Sequence, residues 1–301
     1  MELRLPRSCG SFARRAGALV AVVSLVAACT VTSSLPGSGG SPGSSSLPGS
    51  GGSSGSPAGT GFYLRAWQTQ ALAPQDTFSW LPVVTISDGR LIDGRVAVPA
   101  IYPGPLWIGP SAKPISATGI ASIVAEARSL GLLGAKSDFT DNALAGGVTG
   151  HVQVVVDGAT HDLTGPVSMP GSVSAAPGTA DAFESFWQKV TNASGWLGSE
   201  LGAATSYEPT RLAVLTIPPV EASAGITPNE TVWPLTTPFS SFGAVYGGTG
   251  GRCMVVSGAD LTRLVPVVKQ SNQLTRFVDS SGVKDSLVVR VLVPGEPGPC
   301  S

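Results

Sequence analysis

The chain predicts an α+β fold of mostly antiparallel sheet with three main helices, and the order of its elements suggests two similar strand-helix-hairpin lobes. Three observations predict this. Three segments repeat apolar residues at helical spacing. One Asp-Gly pair sits between two alternating segments, the pattern of a tight hairpin. Elsewhere β-branched and aromatic residues gather in short runs that suit strands.

In chain order, strands are predicted at 62–70 and 79–87. The first helix follows from Ile120, Ile123, Val124 and Ala127, which stand at i, i+3, i+4 and i+7 on one face. Ser116 precedes it within reach of an N-cap role. The hairpin runs His151–Val156, Asp157-Gly158, Ala159–Thr164. A two-residue turn there faces Val156 with Ala159, Val154 with His161 and Val152 with Leu163, on one side of the sheet. His151, Gln153, Val155, Thr160, Asp162 and Thr164 then lie on the other side.

A further helix is predicted between Ala180 and Asn192, where Phe183, Phe186, Trp187 and Val190 repeat the same spacing and Thr179 is a candidate cap. Its aromatic stripe reads as a core face, with a ligand platform as the alternative. Strands are expected at 211–217, 252–256 and 285–293. Between the last two, Leu261, Leu264, Val265 and Val268 mark a helix preceded by Ser257. Pro266 removes an amide and is expected to kink or split it. The shared order of features suggests lobes near 61–178 and 205–301, joined by the helix around 180–200. Against a true duplication, any two strand-helix-strand units look alike at this level.

The N-terminus carries a different signal. Arg4, Arg7, Arg14 and Arg15 precede an apolar run over residues 16–28, which ends in small residues. That pattern describes a secretory signal, shorter than the roughly 20 apolar residues of a membrane span. The ending Val26-Ala27-Ala28-Cys29 resembles the lipobox of bacterial lipoproteins. The resemblance implies that residues 1–28 are a lipoprotein signal peptide, that Cys29 is diacylated on sulfur, and that the protein is anchored at the extracytoplasmic face of the cell membrane. Residues 29–60 comprise that cysteine and a tether of Gly, Ser and Pro containing a near-duplicated Ser-Leu-Pro-Gly-Ser-Gly-Gly. Such a composition cannot bury enough apolar surface to order itself. A coil of this length spans roughly 30 Å. The globular part is expected over 61–301.

Without residues 1–28 the chain keeps 14 basic and 18 acidic side chains, with no basic cluster, which argues against nucleic acid as a partner. Of the four cysteines, Cys9 lies in the signal and Cys29 is the lipid candidate. Cys253 and Cys300 remain as an even pair in an exported chain, which favours a disulfide. The competing reading makes Cys253 a nucleophile, which needs a nearby base.

Other chemistry is sparse. His151 and His161 point to opposite faces under the hairpin register, so they cannot share a metal. No catalytic residue, metal site or cofactor is expected from motif and spacing, and no ligand-binding residue can be singled out. The Gly247–Arg252 stretch lacks the Gly-Lys-Ser/Thr ending of a phosphate loop and enters a strand, so it reads as a hairpin loop. The acids Asp88 and Asp93, Asp138 and Asp141, and Glu221 and Glu230 read as solvated surface groups. The apolar, rigid loop Tyr102–Pro110 is expected to cover a sheet edge; exposed, it would insert into a partner groove.

Several stretches carry a family resemblance. They are Ser87–Ile92, Ile101–Leu106, Ala125–Leu133, Tyr207–Leu212, Trp233–Leu235 and Arg252–Leu261. Together they resemble a group of secreted or lipid-anchored proteins of unknown role from high-GC Gram-positive bacteria, over most of residues 61–301. The resemblance implies export and one shared domain, and it supplies no catalytic or ligand residue. The expectation is a non-catalytic, lipid-anchored binding or interaction module. Its alternatives are an inhibitor of a secreted hydrolase, presenting loop 103–110, and a cell-envelope hydrolase without a recognisable motif.

Overall fold

Alternation along the strands decides which face each sheet buries. In the computed structural model, which describes residues 61–70, 77–96, 100–140, 148–167, 176–223, 225–247 and 249–300, that alternation builds an α+β fold. Four helices and two mostly antiparallel sheets make up the described residues. The signal segment, Cys29, the tether to residue 60, and Asp141 lie outside them.

The first sheet holds β1 (Tyr63–Thr69), β2 (Val84–Ser87), β3 (Arg90–Asp93), β4 (Ser111–Pro114), β5 (Thr149–Val156), β6 (Ala159–Pro166) and β7 (Thr205–Ser206). Their spatial order is β6-β5-β1-β2-β3-β4-β7, antiparallel throughout. The β5–β6 register pairs Val156 with Ala159, Val154 with His161 and Val152 with Leu163, as the Asp-Gly turn predicts. Asp157 and Gly158 both take positive φ, 52° and 78°, which a tight hairpin with the native strand twist requires.

Leu64, Ala66, Val152, Val154 and Leu163 turn inward beneath α1 (Ala117–Ser129) and α2 (Ala180–Thr191). Ser116 caps α1 by accepting from the Gly119 amide at 3.0 Å, and Thr179 caps α2 by accepting from Ala182 at 3.2 Å. The aromatic stripe of α2 is core: Phe183, Phe186, Trp187 and Val190 are buried. It rests where Gly150 and Gly165 face each other across β5 and β6, and a Cβ on either glycine would strike Trp187 or Phe183. Thus α2, expected to join two lobes, is part of the first sheet's core, together with the short α3 (Ala193–Leu197).

The second sheet comprises β8 (Arg211–Ile217), β9 (Glu230–Val232), β10 (Ala244–Val245), β11 (Arg252–Ser257), β12 (Arg276–Val278) and β13 (Lys284–Leu292). Its order is β10-β11-β8-β13-β12-β9, with β12–β9 the one parallel pair. One face packs Leu212, Val214, Val256 and Val291 against α4 (Gly258–Lys269) and against Ile92 and Ala112 from the first sheet. The other face packs Ala213, Leu215 and Leu292 with Phe78 and Cys253. Burial on both faces explains the near-continuous apolar run of β8.

Both sheets follow the order strand, helix, hairpin, but their pairing differs. In the first, the leading hairpin strand β5 joins β1; in the second, the trailing strand β13 joins β8. Two local expectations change. The strand expected from residue 79 begins at Val84, after Pro82, which has no amide to donate. Helix α4 runs through Pro266 unsplit, because the proline sits on the exposed side, where water reaches the carbonyl it leaves without a partner. Ser257 precedes α4 but makes no side-chain cap bond.

Candidate functional site

The site begins with a strand that ends early. Two turns bracket β12. On one side Asn272 accepts from the Leu274 amide at 2.9 Å. On the other, the Asp279 carboxylate accepts from the amides of Phe239, Ser281 and Val283 and from the Ser281 hydroxyl. Loss of water would raise the Asp279 pKa, but these hydrogen bonds, the Ser281 hydroxyl first, hold it below its ordinary value. Confined between these turns, β12 pairs with β13 only at Asp285 and Lys284. From Ser286 to Leu292, β13 pairs with β8 on one side. Among the described residues no strand lies along its other edge.

A cavity of about 690 Å³ opens beside that edge. Its walls come from both sheets: Leu287, Val289 and Val291 of β13, Leu81 and Val83 ahead of β2, and Leu106 and Ile108 of the loop before β4. This volume falls within the roughly 300–1,000 Å³ typical of small-ligand sites. The lining is mainly apolar, with polar groups at Gln68, Ser79, Gln273 and Arg290. Gln273 and Leu274 stand at the β12 end, and Arg290 stands toward the opposite end of the open edge.

Arg290 leads into a second cleft of about 380 Å³, which shares Gln68, Trp80, Leu81 and Arg290 with the first. Here the face of β1 turned away from the helices meets the C-terminal segment. The Arg290 guanidinium donates to the Phe78 carbonyl at 3.3 Å and to the Glu296 carboxylate. Arg65 is buried, donates to the Gly295 carbonyl at 3.3 Å and lies 4.3 Å over the Trp67 ring. The Nε atoms of Arg65 and Arg290 are buried and have no hydrogen-bond partner among the described residues. Glu296 also accepts from the Val293 amide at 3.1 Å. Burial pushes the Glu296 carboxyl above the usual carboxylate range, although Arg290 and Arg65 pull it back. Burial likewise pushes the Tyr63 phenol up to about 12, and its hydroxyl donates to the Pro294 carbonyl at 3.1 Å.

The disulfide pair Cys253–Cys300, with Cα atoms 5.1 Å apart, holds this segment against β11. His151 lies near the second cleft, stacked on Trp67 at 5.1 Å between ring centroids and hydrogen-bonded to the Thr69 hydroxyl at 2.8 Å. Burial lowers its pKa. His161 lies across the sheet from it, as the register requires. Loop 102–110 docks on the turn after α4: the Leu106 amide donates to Ser271 and the Gln273 amide to Gly104. Ile101 and Tyr102 are exposed, whereas Leu106 is buried. The glycine-rich stretch joins β10 to β11 as a hairpin loop. Asp93 pairs with Arg95 and Glu230 with Lys284 at the surface.

Arg65, Arg290 and Glu296 escaped the motif reading. The usable signal was a charge inside an apolar strand run, since unpaired arginine is rarely buried: Leu64-Arg65-Ala66 and Val289-Arg290-Val291. Among the described residues no histidine, lysine or cysteine lines the larger cavity, and no group of three or more metal-ligating side chains gathers. No described helix is long and apolar enough to cross a membrane. The arrangement therefore offers a mainly apolar chamber with a cationic end. Comparison with protein-family models, with curated proteins and with solved structures finds no match to this chain.

Proposed function

We propose that this protein is a non-catalytic binding module that holds a largely apolar ligand in the cavity beside β13. The carrying observation is the cavity of about 690 Å³, walled by both sheets, with its polar groups confined to a few positions. Residues 1–29 support export and attachment of the module to the extracytoplasmic membrane face through Cys29. An inhibitory role for loop 103–110 has less support, because Leu106 packs inward against the second sheet.

The test uses N-phenyl-1-naphthylamine, a neutral apolar dye whose emission rises on leaving water. The purified full chain is expected to bind it saturably. Val289→Trp, which places an indole in the cavity, should abolish the signal while the circular dichroism spectrum is retained. Equal dye binding by wild type and Val289→Trp removes this reading.

A further inference from the structure

The geometry points to an extended peptide as the ligand, added as a strand to the edge of β13 that no described strand pairs, with its C-terminal carboxylate at Arg290 and Arg65. This rests on the cavity reading above and narrows it to one ligand chemistry.

Two observations carry it. The first is the edge itself. In an antiparallel strand, alternate residues turn N–H and C=O away from the paired neighbour. Along Ser286–Leu292 the neighbour is β8, so the outward backbone groups face the cavity side. A hydrocarbon tail would desolvate those groups without replacing their hydrogen bonds, at about 1–3 kcal/mol for each group left unmet. An added strand satisfies them and also fills the apolar positions with alternate side chains. Leu287–Val291 spans five residues, which sets the length of the added strand.

The second is the charge balance at the far end. Among the described residues that line the joined clefts, Arg65 and Arg290 are two permanent cations and Glu296 is the one acid, and both arginines act on it electrostatically. Among these residues the excess is a single positive charge, which matches one carboxylate. Guanidinium binds carboxylate through paired N–H donors, the chemistry that a peptide C-terminus matches. Because Gln273 and Leu274 mark the β12 end and Arg290 the other, the added strand runs parallel to β13.

The probe is an equimolar mixture of pentapeptides randomised over Ala, Val, Leu, Thr and Ser, titrated against the full chain carrying bound N-phenyl-1-naphthylamine. The free-acid mixture is expected to displace the dye. The C-terminal amide mixture should do so roughly tenfold to a hundredfold less well, the loss of a charge-assisted pair. Mixtures N-methylated at alternate residues should fail, because ladder donors are gone. Arg65→Gln should weaken the free acid toward the amide and leave the amide unchanged; the amide comparison needs no variant and stands even if Arg65→Gln unfolds. Displacement by palmitate with none by the free-acid peptides overturns the peptide assignment and leaves the cavity reading intact. Acid and amide displacing equally overturns the carboxylate assignment. No dye binding in wild type removes both readings together.

Discussion

Gly165→Ala probes the contact on which the first sheet's core depends. The new Cβ would lie 2.3 Å from Cδ1, 2.6 Å from Cγ and 2.8 Å from Cε1 of Phe183. Carbon atoms settle at roughly 3.5–4.0 Å, so the ring must retreat by more than about 1 Å. It has little room: Phe183 is buried, with Phe139 stacked at 5.9 Å and Trp187 at 6.4 Å between centroids. Overpacking of this kind costs about 1–3 kcal/mol. Gly165 has no positive φ, so alanine fits the backbone and recovers about 0.4–1 kcal/mol from the unfolded chain. The net expectation is a loss of about 1.3 kcal/mol, or about 3–5 °C in Tm for a body of this size. Equilibrium unfolding in guanidinium chloride reads it. Phe183→Leu vacates the space that the methyl needs, so the double variant should be at least about 1 kcal/mol more stable than the sum of the singles predicts. A Gly165→Ala protein as stable as wild type, or strict additivity in the cycle, refutes the packing argument.

Reduction of Cys253–Cys300 opens a link across 47 residues and should lower stability by about 4 kcal/mol from chain entropy, seen as a Tm drop in dithiothreitol that a Cys253→Ala/Cys300→Ala protein does not show. His151 has its folded pKa below the ordinary value, so the folded state resists protonation. Its share of stability is full above the ordinary value and falls as pH drops below it, so wild type should lose more Tm than His151→Gln between pH 7.5 and 5. Asp279→Ala leaves the donors of Phe239, Ser281 and Val283 without their acceptor and should cost about 2–4 kcal/mol in denaturant unfolding. Because its folded pKa is lowered, the Asp279 contribution holds above the ordinary carboxylate range and fades as acid is added; Asp279→Asn should flatten that acid limb.

Periodicity found what local chemistry dictates. The Asp157-Gly158 hairpin is legible because positive φ at both turn positions restricts the residue choice and fixes the register. Helices α1, α2 and α4 are legible because each carries a one-sided apolar stripe. Strands β4, β7, β9, β10 and β12 span two to four residues, too short for any alternation to register, and exist through tertiary pairing. The cavity was not legible, since it arises from an ending: β12 stops at turns while β13 continues. Its cationic end joins Arg65 to residues some 230 positions away, a distance over which sequence pattern carries no signal.

Tyr63 and Arg65 bond to Pro294 and Gly295, across separations of 231 and 230 residues. A ribosome therefore finishes β1 long before its buried polar side chains can be satisfied. Until the last segment emerges, a phenol and a guanidinium must stay hydrated, and the polar face of β1 cannot close. Closure of that face therefore waits for the C-terminal segment, with the slow rate expected of such distant pairings. A chain cut short before Pro294 would leave Tyr63 and Arg65 without these carbonyl partners.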